Sequence, residues 1–215
     1  AANRMLTLVK EDTFGQVPTD AKDAVTQTIR NNEHLLAMVN TLLEVYRYEA
    51  GRKEMAIAPF NLKRLLEDVT AELRPLAIAK NLDLQLEDRV AAVGDDRRYT
   101  CHGDRLEFRR ILVNLVGNAL KFTDVGFVTI SFHKEPAEAP TDWCIRVKDT
   151  GPGIAAANQQ EIFAWFRPGQ HRRSGSGLGL HLSQRIVAAH HGTLSLESEV
   201  GQGSTFTVKV PIKPS

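Results

Sequence analysis

Cysteine is almost missing from this chain: among 215 residues there are two, Cys101 and Cys144, far apart and outside any C-x-x-C pair. That excludes a disulfide framework. Both read as reduced thiols in or beside strands, which implies a cytoplasmic location. Long apolar runs are absent too. Nothing approaches the roughly 18 consecutive apolar residues of a membrane span, and there is no signal peptide, so this stretch is expected to make no membrane contact. Charge of one sign is also lacking: 27 Lys and Arg face 26 Asp and Glu, a net of +1. No global field favours nucleic acid, and the Arg pairs at 97–98, 109–110 and 172–173 read as solvated surface. Internal repeats and low-complexity segments are missing as well. What remains, 42% hydrophobic and 25% charged residues, fits an ordinary globular protein of one or two domains.

The opening "AANRMLTLVKED" begins inside an amphipathic pattern, so the chain reads as a fragment of something longer. Residues 1–12 look like a helix end, broken by "TFGQVPT". From Asp20 to about Ala50 a helix is predicted, with Val25, Ile29, Asn32, Leu36, Val39, Leu43 and Tyr46 spaced alternately four and three. That is a heptad seam, and Asn32 is its one polar, register-setting member. Leu35 and Leu42 widen the stripe, so the predicted hairpin of residues 1–52 needs a second copy, in a homodimeric four-helix bundle. Residues 53–58 form a linker. Residues 59–215 then mix helices (61–80, from 104, 177–191) with strands at 82–87, about 126–133, 142–149 and a final hairpin. Pro75 should bend or end the first of these helices. Without regular βαβ units, this pattern predicts an α+β, two-layer α/β sandwich on a mainly antiparallel sheet.

The helix "DRLEFRRILVNLVGNALKFT" carries the first chemical signal. Asp104 is an N-cap, with Glu107 as its capping-box partner. Phe108, Ile111, Leu112, Leu115, Ala119 and Phe122 make a core stripe. Asn114, Asn118 and Lys121 align on another face, where amides can meet a hard cation and phosphate oxygens, and the Lys adds a point charge. A plain polar surface would look the same. Next, "VKDTGPGI" sets Asp149 at a strand end before Gly151 and Gly153, which let the backbone approach a flat ligand closely. Asp149 could accept from an exocyclic amine, although a simple D-x-G turn would also suit. Finally, "SGSGLGL" places Gly175, Gly177 and Gly179 at a helix N-terminus, where free amides face an anion. The spacing matches neither the Rossmann fingerprint nor a P-loop.

Taken in order, these motifs resemble the ATP-binding half of sensor histidine kinases, of the superfamily that includes DNA gyrase, Hsp90 and MutL. "NLVGNALKFT" is similar to the family's asparagine box, "DTGPGI" and "GSGLGL" to its two glycine boxes, and "IFAWFR" to its phenylalanine box. "GQGSTFTVKVP" resembles its tail, and "LLEVYRYEAGR" the end of the second dimerisation helix. The resemblance implies ATP and Mg²⁺ as ligands. Asn118 would coordinate the metal, Asn114 would lie close to the phosphates, and Lys121 would contact them. Phe122 would pack near the adenine, and Asp149 would take its amine. Gly151, Gly153, Ile154, Gly175, Gly177, Leu178 and Gly179 would line the nucleotide. Residues 167–176 would form a lid, with Arg167 near the γ-phosphate. Hydrolysing relatives have a Glu four residues before the metal-binding Asn. Asn114 stands there, and an amide cannot take a proton at neutral pH.

None of the seven histidines sits in an H-[DE]-[LI]-[RK]-T-P-L acceptor motif. His34 reads as surface. His190 and His191 read as helix-terminal, where a cation suits the dipole. His171 and His181 flank the glycine loop; His181 either faces a phosphate or packs. His102 and His133 are strand-associated with no evident partner. The acceptor is therefore expected a few residues before Ala1. The favoured reading is a protein-histidine kinase region serving a response-regulator aspartate. The alternative is a degenerate kinase acting as a dimeric docking module, and an ATP-gated machine of the gyrase sort is disfavoured by Asn114.

Overall fold

A computed structural model describes residues 2–90, 96–136, 139, 141–163 and 177–213. It divides into two compact units, Ala1–Glu44 and Val45–Ser215.

The first unit holds α1 (Ala2–Lys10) and most of α2 (Thr19–Glu49). The turn between them is built around Asp12, which adopts a positive φ of 59°. Its carboxylate accepts the Val17 N–H at 2.8 Å and also holds the Lys22 ammonium. Asn32, the polar member of the seam, donates its amide to Asn3 Oδ1 at 3.0 Å. Leu36, Val39, Leu43 and Tyr46 of α2 are left exposed along one stripe.

The second unit is built on a five-stranded sheet of β2 (Asp83–Asp88), β4 (Phe127–Glu135), β5 (Asp142–Asp149), β6 (Thr193–Glu199) and β7 (Gly203–Pro211). The strand order is β2-β4-β5-β7-β6. The β2–β4 pair is parallel and the other three are antiparallel. Alternation decides the faces. Val128, Ile130 and Phe132, Trp143, Ile145 and Val147, and Phe206, Val208 and Val210 are all buried. Against them pack α3 (Leu62–Ala79), α4 (Arg105–Phe122) and α6 (Gly179–Ala189), whose apolar stripes fill the same core; a short helix α5 (Ala156–Gln159) follows β5. The other face is polar, giving the two-layer α+β sandwich. A small antiparallel pair, β1 (Ala58–Asn61) with β3 (Thr100–Gly103), sits beside it. Both cysteines are free and buried, and burial pushes the Cys101 thiol up to about 12.

Pro75 is tolerated within the last turns of its helix, and two further local expectations are corrected. Pro75 does not end α3, which continues to Ala79. Pro75 and Ala71 lie on the exposed face, so water can serve the carbonyl that loses its helical donor. Glu107 does not close a capping box on Asp104. Asp104 does cap α4, accepting from Leu106 N at 3.0 Å and Glu107 N at 3.3 Å. Its own N–H goes instead to His190 Nε2 at 3.0 Å, while Glu107 is held by Lys53 at 2.7 Å and Arg110 at 3.3 Å. His190, in turn, is no helix-end cation. It is 7% exposed, with Nδ1 on the Ile186 carbonyl at 2.8 Å, so accepting at Nε2 requires the neutral ring. Burial pushes its pKa down.

Candidate nucleotide site

The asparagine face of α4 is set by its opposite stripe. Phe108, Ile111, Leu112, Leu115, Val116, Ala119 and Leu120 are buried. At 3.6 residues per turn that leaves Asn114, Asn118 and Lys121 half-buried along one line. Burial lowers the Lys121 pKa. Phe122 is not in the core as its spacing predicted. It stands half-buried at the helix end, with Lys121 Nζ 5.2 Å from its ring centroid.

Asp149 ends β5 and is 6% exposed. Desolvation raises its pKa, opposed by hydrogen bonds from the backbone N–H groups of Gly151 and Ser204, the first at 2.8 Å. A carboxylate so placed is shielded from most water and held by two backbone donors. Gly151 explains how this corner reaches α4. A Cβ there would lie 2.8 Å from Asp149 Oδ1 and 3.4 Å from both the Phe122 carbonyl and Thr123 Oγ1. Gly153, at φ +69°, turns the chain against the β6–β7 hairpin, where a Cβ would come within 1.9 Å of the Glu199 carbonyl. Ile154 N then donates to Ser198 Oγ at 2.8 Å, fixing the loop to that hairpin.

At the other end of the face, Gly177 has φ +68°, Leu178 is fully buried, and Gly179 opens α6. A Cβ on Gly179 would sit 2.4 Å from Asn114 Oδ1. Both glycine motifs therefore meet α4, one at Asn114 and the other at Phe122, about 12 Å apart along the helix. Two of the expected site residues, Arg167 and Gly175, lie outside the described residues, as do the whole expected lid and part of "IFAWFR". Of that box, Phe163 packs edge-on to Phe206, with centroids 6.4 Å apart. His181 packs rather than facing a phosphate: it is buried, with Nδ1 on the Phe163 carbonyl at 2.9 Å.

Two contributors carried no sequence signal. Ser183, 1% exposed, accepts from Asn114 Nδ2 at 2.9 Å. Lys80 sends its ammonium to the carbonyls of Leu120, Lys121 and Thr123 at the end of α4. Both depend on which elements the fold makes neighbours. A separate cluster on the open face of the sheet, His133, Glu135 and Cys144, brings possible ligand atoms within 4.8 Å of one another. There Glu135 is already taken by Lys209 at 2.6 Å and His133 at 2.9 Å.

Residues 103–214 match the family described as histidine kinase-, DNA gyrase B- and HSP90-like ATPase, and the chain belongs to that family. Its relatives place it among the sensor histidine kinases. It is 34% identical over 207 residues to the circadian input-output histidine kinase CikA of Synechococcus elongatus, covering 92% of this chain and 26% of CikA. It is also 34% identical over 188 residues to the sensor protein GacS of Pseudomonas syringae pv. syringae, covering 85% of this chain and 20% of GacS. The chain thus spans about a quarter or less of these relatives. Full-length ShkA, crystallised in complex with AMPPNP, superposes with a TM-score of 0.80 at 28% identity, over 99% of this chain and 43% of that one.

Proposed function

We propose that this chain binds ATP with Mg²⁺ and is the catalytic region of a sensor histidine kinase. The γ-phosphoryl group would pass to a histidine outside this sequence, and from there to an aspartate of a response-regulator receiver domain. The observation that carries the reading is the double contact on α4: Gly179 against Asn114, and Gly151 against Phe122 and Asp149. It lines up a buried carboxylate for the adenine amine, a cationic Lys121, and two amides beside a glycine-rich helix start for the phosphates.

The residues fit a hard cation. Asn118 Oδ1 has no hydrogen-bond partner among the described residues, and neutral amide oxygens are ordinary Mg²⁺ ligands. Asn118 would hold such an ion, which would supply positive charge to offset that developing on the phosphates. Lys121 adds a second positive charge from the same face. Asn114 has no proton-accepting group at neutral pH, so this position supplies no base for water. On this reading the nucleophile is a neutral imidazole attacking in line. ShkA, which carries AMPPNP in its crystal structure, lends the nucleotide part support by likeness. The exposed stripe of Leu36, Val39, Leu43 and Tyr46 supports dimerisation into a four-helix bundle.

Calorimetric titration with a non-hydrolysable ATP analogue and Mg²⁺, beside Asp149→Asn, tests this reading. A lost hydrogen bond to a charged group is worth about 1.5–3 kcal/mol, so the variant should bind at least tenfold more weakly. Absence of binding by the unmutated chain overturns the kinase reading and leaves a docking module.

A further inference from the structure

Asn114, Asn118 and Ser183 form a hydrogen-bond chain with one direction. Asn114 Nδ2 donates to Ser183 Oγ at 2.9 Å, and Asn118 Nδ2 donates to Asn114 Oδ1 at 3.4 Å. An amide has a donor end and an acceptor end. With its donor end on the Ser183 hydroxyl, Asn114 turns its oxygen toward Asn118. That oxygen in turn draws the NH₂ of Asn118, which leaves Asn118 Oδ1 without a hydrogen-bond partner among the described residues. Gly179 lets the arrangement form, because any Cβ there would come within 2.4 Å of Asn114 Oδ1.

We propose that Ser183 is a positioning residue. Through Asn114 it commits Asn118 to present its oxygen, rather than its NH₂, to the cation that accompanies the nucleotide. The inference rests on the nucleotide-binding reading above and adds the residue that gives the metal ligand its polarity. Ser183 lies on α6 and is 1% exposed, so its effect runs through two side chains. Hydrogen bonds in series polarise one another, which makes the anchor at the end count for the far atom.

Two measurements on Ser183→Ala and Ser183→Thr test it. The first is solvent exchange of the Asn114 side-chain NH₂ by NMR, which needs no ligand. Exchange should speed up at least tenfold in Ser183→Ala and return toward the original rate in Ser183→Thr. The second is calorimetry with a non-hydrolysable ATP analogue, with and without Mg²⁺. The gain in affinity that Mg²⁺ provides should fall roughly fivefold in Ser183→Ala, the worth of one net hydrogen bond, while metal-free binding holds. A merely structural role would weaken both bindings alike, and that result overturns the proposal. So does an Asn114 amide that ignores the alanine, or a full Mg²⁺ gain with the amide freed. Failure of the unmutated chain to bind any analogue overturns the functional reading and the metal half of this inference with it. The amide exchange still decides the orientation half.

Discussion

Lys80→Met removes a support of the nucleotide site that lies in none of its motifs. Lys80 follows α3 directly, and its ammonium reaches the carbonyls of Leu120 at 2.5 Å, Lys121 at 3.0 Å and Thr123 at 2.6 Å. Carbonyls at a helix end lack helical donors, and a cation there also meets the negative pole of the dipole. A charged hydrogen bond is worth about 1.5–3 kcal/mol net, but three bonds on one ammonium do not add. Lys80 is half-buried, so water reaches part of the gap, and methionine keeps the packing of the stem. The expected loss is about 2 kcal/mol. With a urea m-value near 2 kcal/mol/M, the unfolding midpoint should fall by about 1 M, read by circular dichroism. Exchange of the Phe122 and Thr123 amides should quicken in parallel, and nucleotide affinity should drop, because this turn carries Lys121 and Phe122. A midpoint within about 0.2 M of the unmutated chain, with slow amides retained, would refute the capping argument.

Gly153→Ala combines a left-handed backbone with a Cβ 1.9 Å from the Glu199 carbonyl, so it should cost more than about 2 kcal/mol and weaken nucleotide binding. Gly201→Ala is the control: φ is +82° but nothing lies within 4 Å, so thermal denaturation should show only the backbone cost of about 1 kcal/mol. His190 predicts a pH dependence. Its folded pKa is depressed, so above about pH 6.5 both folded and unfolded rings are neutral and its contribution is whole. As pH falls below that, the unfolded ring protonates first. Stability then declines by up to about 1.4 kcal/mol per pH unit until the folded ring titrates, and His190→Gln should flatten that slope in denaturant titrations. Asn114→Asp preserves volume, and Ser183 can rotate to donate to it. The fold should survive, analogue affinity should fall through repulsion of the phosphates, and ATP hydrolysis should rise. Unchanged hydrolysis in a phosphate-release assay would remove the argument about the missing base.

The site was legible where its chemistry repeats along the chain. Asn114, Asn118 and Lys121 could be placed on one face from spacing alone, because a helix fixes angles over short distances. Asp149 at a strand end, and glycines at 151, 153, 177 and 179, could be marked because only unusual backbone or close approach calls for them in such density. Strand alternation likewise exposed the layers, and the apolar stripe of α4 set the side of the sheet it covers. What stayed hidden involved partners far apart in sequence. Phe122 fitted the spacing of a core residue, yet it is the last residue of α4 and stands half-buried. Glu107 had the spacing for a capping box, but Lys53 from the chain before β1 offers it a full charge. The Asp104 N–H was then free for His190, 86 residues away, and a helix-end histidine became a buried neutral acceptor.

The same logic separates motif from support in the site. A motif residue acts on a ligand, so its type must suit the ligand, and its neighbours in sequence must suit its backbone. A supporting residue acts on a motif residue, so many types can serve and none announces itself. Ser183 and Lys80 hold opposite ends of the working face of α4, one through a side-chain amide and the other through helix carbonyls. Neither would be chosen from the chain, because serine and lysine in helices or at their ends are most often solvated. The fold gives each its meaning: α6 runs beside α4 where a Cβ at Gly179 would displace the Asn114 amide, and the end of α3 meets the end of α4 where the carbonyls lack donors. On the proposed reading, the preference for a cation-bound nucleotide should therefore respond to Ser183, which lies outside the asparagine and glycine motifs.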